Sequence, residues 1–166
     1  MRLRSFVTLL ACGALAACGG DNHTILPTPA GSLAGFWRSN ERSVLATFSN
    51  VDRPVLARVH LGLGPNGQFR RELRYVDPVS GLDFPEAISE GTYTASSGNA
   101  QVTITRDYVR LGGTPQTNPV PQPTPSRTEN YTYSLQDGVL TFRHICPINA
   151  LCGEDPFPKY TAVLPD

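Results

Sequence analysis

Chemistry in this chain would have to come from four cysteines, three histidines and fourteen carboxylates, and their spacing already limits what they can do. Cys146 and Cys152 have five residues between them, so no C-x-x-C redox dithiol is present. His23, His60 and His144 lie far apart, and no pair has the close spacing of a metal site. Ser, His and Asp all occur, but no G-x-S-x-G elbow does, and none of Gly81, Gly91 and Gly98 stands ahead of a helix that could cradle a phosphate. Glu86 with Glu90, or Asp83 with Glu86, are the carboxylates close enough in sequence to converge as an acid and base. Loops and strand ends carry acids by default, so the expectation is a protein that is not an enzyme and that needs neither cofactor nor metal.

Charge excludes another class. Fourteen basic residues balance fourteen acidic ones, and the basic set is thirteen scattered arginines and one lysine. Such a chain has no electrostatic footprint for nucleic acid. Its 166 residues suit a single domain, and 17% charged residues leave turns and uncharged polar side chains to make up much of the surface.

The first 17 residues carry Arg2 and Arg4, then an apolar run from Phe6 to Ala14, then Leu15-Ala16-Ala17 ahead of Cys18. This is the pattern of a signal peptide, with an apolar stretch too short for the roughly 20 residues of a membrane span. Leu15-Ala16-Ala17-Cys18 resembles the lipobox of bacterial lipoproteins. The resemblance implies cleavage before Cys18, a diacylglyceryl thioether on its sulfur and usually a third acyl chain on its amine. Several chains anchor far better than one. Gly19, rather than Asp, follows the cysteine, which by the same resemblance implies the outer membrane, facing the periplasm. With Cys12 removed and Cys18 acylated, Cys146 and Cys152 are left to form a disulfide, in keeping with an oxidising compartment. Residues 18–32, rich in Gly, Pro and Thr, then read as a flexible tether.

The elements that must position everything else are strands. From residue 33 onward the periodicity is two rather than 3.6, and Gly, Pro, Asn and Asp punctuate short runs of Val, Thr, Tyr and Phe. Val55, Ala57, Val59, Leu61 and Leu63 share one face of a strand, and Gly64-Pro65-Asn66-Gly67 turns it into a hairpin with 68–76. Further strands are expected over 36–38 with 44–48, 88–95, 100–108, 128–135, 139–145 and 158–164. Residues 77–85 and 112–126 are expected as loops, the latter because five prolines in fifteen positions should exclude a ladder. Eight or nine short strands with hairpin connections predict an all-β domain over 33–166, a small antiparallel up-and-down barrel of about eight strands. A two-sheet β-sandwich is the alternative.

Leu33-Ala34-Gly35-Phe36-Trp37-Arg38 resembles the G-x-W signature of lipocalins and of the lipocalin-like domains of bacterial lipoproteins. Gly64 to Phe69, Glu90-Gly91-Thr92-Tyr93 and Tyr133 to Thr141 are similar to that group in the same order. The resemblance implies a barrel closed at one end by Gly35 and Trp37, with Lys159, or failing that Arg143, packed on the indole. It leaves two functional readings open. In the first, the barrel binds a small apolar or amphipathic ligand, with Phe69, Arg71, Tyr75, Tyr93, Tyr131 and Tyr133 lining the site. In the second, those bulky residues fill the barrel, and the protein is a structural component that docks an envelope partner. Arg71, on an otherwise apolar face, reads either as an interior charge awaiting an anionic head or, by preference, as a solvated rim residue.

Overall fold

The computed structural model describes residues 33–48, 51–111, 118–147 and 157–163, and every regular element among them is a β-strand. The expected signal peptide, Cys18 and tether, together with Cys152 and residues 112–117 of the proline-rich segment, lie outside the described residues.

The strands are β1 (Gly35–Ser39), β2 (Arg42–Phe48), β3 (Val51–Leu63), β4 (Gln68–Val76), β5 (Asp83–Ser96), β6 (Asn99–Val109), β7 (Val120–Gln122), β8 (Arg127–Gln136), β9 (Val139–His144) and β10 (Lys159–Val163). Hydrogen bonding runs in the order β1-β10-β9-β8-β6-β5-β4-β3, and β3 pairs again with β1. The sheet is therefore a closed, antiparallel, eight-stranded barrel, with β2 and β7 added outside the ring. The sandwich alternative falls, since there is one continuous sheet.

Alternation explains the burial. Val55, Ala57, Val59, Leu61 and Leu63 are all buried, while their neighbours Arg58 and His60 face outward into a ladder of arginines and carboxylates on β4 and β5. The tight turns at Gly64 to Gly67, Ser97-Gly98 and Asp137-Gly138 all lie at one end of the barrel, beside the start of β1. That end is packed solid: Leu33, Trp37, Leu63, Phe69, Val102 and Leu140 are each at most 5% exposed.

At the opposite end β3, β4, β5 and β6 overrun the ring. β2 pairs with the overhanging half of β3, and β7 with the overhanging end of β6. A second small core forms there from Ala46, Val55 and Phe84, with Val44 and Tyr75 packed against it.

Two loop expectations are corrected here. β5 begins at Asp83 rather than Ile88, because Pro85 falls where β5 pairs with β4 alone and beside a register shift that leaves Glu86 outside the ladder. The proline-rich segment does carry a ladder: Val120, Pro121 and Gln122 pair with Val109, Tyr108 and Asp107. Pro121 is tolerated because β7 is an edge strand, where a missing N–H can face away from the sheet.

Candidate functional site

Above the packed end the barrel holds a cavity of about 300 Å³. Eight strands leave an interior just wide enough for side chains or for one small ligand. Here the wall is mainly apolar, with Val59, Leu61, Leu73, Ala87 and Phe142 from the strands and Phe157 from the segment leading into β10. The polar groups on it are Arg71 of β4, Ser89 of β5, Tyr131 of β8 and Tyr160 of β10.

The polar side chains form a connected set. Arg71 Nη1 donates to Tyr131 Oη at 3.1 Å and lies 3.8 Å from Glu129. Tyr131 Oη donates to Glu129 at 2.5 Å, and Arg127 Nε donates to the same carboxylate at 2.9 Å. Arg127 also pairs with Asp107, which accepts the Ser89 hydroxyl at 2.7 Å and that of Thr124 at 3.1 Å. Arg127, Glu129 and Tyr131 are alternate residues of β8 and so share its inner face.

Electrostatics follow from this wiring. Burial alone would raise the Glu129 pKa, but the bond from Tyr131, the Arg71 charge and the bond from Arg127 bring it below the ordinary value. Asp107 is lowered chiefly by its hydrogen bond from Arg127, against a smaller opposing effect of burial. The Tyr131 hydroxyl is held protonated, first by burial and then by the adjacent Glu129. Both carboxylates are thus charged at neutral pH, and the cluster of two arginines and two carboxylates has no net charge. Tyr131 is fixed further by stacking on Phe142, with ring centroids 4.3 Å apart.

Of the six side chains expected to line a site, the structure brings Arg71 and Tyr131 to the cavity. Arg71 is neither fully interior nor a free rim residue: its side chain is 34% exposed, yet it belongs to the wall. Phe69 lies in the packed end. Tyr93 donates to the Gly64 carbonyl at 3.1 Å and braces the turn there. Tyr75 sits between the two cores, edge-on to Phe84. Tyr133 is partly buried against the main core.

Trp37 and Gly35 stand at the packed end, where Gly35 pairs with Leu63 and Trp37 with Leu61 and Ala162. Neither expected cation accompanies the indole. Lys159 and Arg143 alternate with the buried Tyr160 and Phe142 and are exposed on the outer face. Trp37 Nε1 donates instead to the Leu33 carbonyl at 3.0 Å. Cys146 is disulfide-bonded; its expected partner Cys152 is outside the described residues.

The carboxylates considered as an acid and base are each paired with arginine. Asp83 pairs with Arg58 and Arg74, Glu90 with Arg70, and Glu86 with Arg110 at 3.2 Å. Among the described residues no three His, Cys, Asp or Glu side chains converge as a metal site. Sequence reasoning passed over Glu129 and Arg127, although both alternate in step with Tyr131, and over Ser89, Ala87 and Phe157, which only the barrel's closure brings round the cavity. Compared with protein-family models, with curated proteins and with solved structures, the chain gives no significant match.

Proposed function

We propose that this chain is a lipid-anchored protein of the cell envelope, with a lipocalin-like barrel that carries one small apolar or amphipathic molecule. The observation behind this reading is the cavity of about 300 Å³, apolar in most of its wall, with Arg71, Ser89, Tyr131 and Tyr160 as the polar groups on it. That volume is at the small end of the range of roughly 300 to 1,000 Å³ typical of ligand sites. A barrel packed at one end and hollow toward the other supports it as well. Leu15-Ala16-Ala17-Cys18 and Gly19 support an anchor in the outer membrane, facing the periplasm. The disulfide at Cys146 agrees with that oxidising compartment.

Two experiments test the two halves. Protein purified from its own envelope and analysed by native mass spectrometry with organic extraction should carry a reproducible small molecule, absent from A87F, in which a ring occupies the cavity. A clean mass for the unaltered protein would sink the carrier half. Metabolic labelling with a clickable palmitate should mark the chain and be lost in C18S, and an unlabelled parent chain would sink the anchor half.

A second reading, docking of an envelope protein, draws on exposed apolar side chains: Leu45 is 77% exposed, Leu111 62% and Val79 94%. In-cell crosslinking from these positions should capture a single partner under that reading.

A further inference from the structure

Resting on the carrier reading, we propose that the cavity selects amphiphiles with an uncharged hydroxyl head and discriminates against carboxylates. Arg71 is the charged group on the cavity wall, and the protein already supplies its counter-ion. Glu129 lies 3.8 Å from it, and Tyr131 Oη bridges the two. A ligand carboxylate drawn to Arg71 would have to share that cation with Glu129, in surroundings where like charges repel more strongly than in water.

A hydroxyl meets no such opposition, and the wall offers it both partners. Arg71 and Ser89 are directly opposite across the β4–β5 ladder and both face the cavity, which puts their Cβ atoms about 5 Å apart. Among the described residues Arg71 donates one hydrogen bond, to Tyr131, leaving other guanidinium N–H groups for a ligand oxygen. Ser89 gives its proton to Asp107 at 2.7 Å, so its Oγ presents lone pairs to the cavity and can accept from a ligand O–H. An alcohol can do both at a single oxygen, accepting from Arg71 and donating to Ser89. The apolar wall of Val59, Leu61, Leu73 and Phe142 takes the hydrocarbon body.

Octanol and octanoic acid share a chain that fits the volume and differ in the head. Binding of each at pH 7 would be measured by native mass spectrometry or displacement titration on the full chain carrying C18S, so that no acyl chain of its own competes. The expected result is octanol at least about tenfold tighter than octanoate. In E129Q, which keeps a hydrogen-bonding side chain but removes the charge, octanoate should gain about tenfold relative to octanol. Octanoate binding as well as or better than octanol overturns the selectivity and leaves the carrier reading intact. Failure of both to bind overturns the selectivity, and the carrier reading then rests on the native mass of the protein from its own envelope. The comparison on the otherwise unaltered chain decides the matter even where E129Q does not fold.

Discussion

A cation on the inner face of a strand is costly unless paired, and the cost falls again on whatever is left behind when a partner is removed. Tyr131 is the residue on which this balance turns, since its hydroxyl joins Arg71 to Glu129. Y131F should lower stability by about 1–2 kcal/mol, read from the midpoint of urea unfolding. Acid should act through the same cluster. The folded pKa of Asp107 lies below its unfolded value because Arg127 favours the charged form. The stabilisation is therefore present above the unfolded pKa of about 4 and is lost as pH falls through the folded value. D107N should flatten the acid limb of a stability profile taken from about pH 5 down to about pH 2, and an unchanged slope would assign acid lability elsewhere. At the packed end, W37A removes a ring that is 4% exposed together with its bond to Leu33, and should cost about 3–5 kcal/mol.

At the scale of elements, the strands hold irregularities that their neighbours require. β5 and β6 shift register between Glu90 and Gly91, and there the two backbones come so close that a Cβ on Gly91 would sit 1.9 Å from the Thr103 carbonyl oxygen. Only backbone movement relieves that contact, so G91A should destabilise by more than about 2 kcal/mol. Gly81 is a useful contrast: it adopts a φ of +70° with nothing within 4 Å of an added Cβ. G81A should cost about 1 kcal/mol, the left-handed penalty alone. Thermal melts of the two variants in parallel separate steric demand from conformational preference. The overhang beyond the ring is an element-level device as well. Arg110, with a side chain 2% exposed, lies over the Phe84 ring at 4.5 Å and pairs with Glu86. It covers the small second core at the point where the ladder between β4 and β5 is interrupted.

For the whole molecule, closure is the organising fact. β1 holds β10 on one side and β3 on the other, so the ring has no free edge where those strands meet. Removing residues 159–166 should expose β1 and β9 together and abolish the cooperative thermal transition. A retained sharp melt would show that the barrel does not need its last strand. Much of this architecture was legible beforehand. Period two in Val55 to Leu63, the turn at Gly64 to Gly67 and the count of hairpins were enough for an antiparallel barrel of about eight strands, because alternation and turn chemistry are local properties. The candidate site was legible only in part. Alternation tells which face a residue takes, but not its height along the barrel axis, so it cannot separate Phe69 and Tyr93, which stand at the packed end, from Arg71 and Tyr131 at the cavity. The cluster of Arg71, Tyr131, Glu129, Arg127, Asp107 and Ser89 draws on four strands up to about 60 residues apart. Its members meet only once strand register is set, and register is decided by which apolar faces can be buried together when the sheet closes. The same holds for Pro85 and Pro121: the sequence alone marks both as breakers of strands, and only the tertiary structure provides the one-sided positions where a missing N–H does no harm.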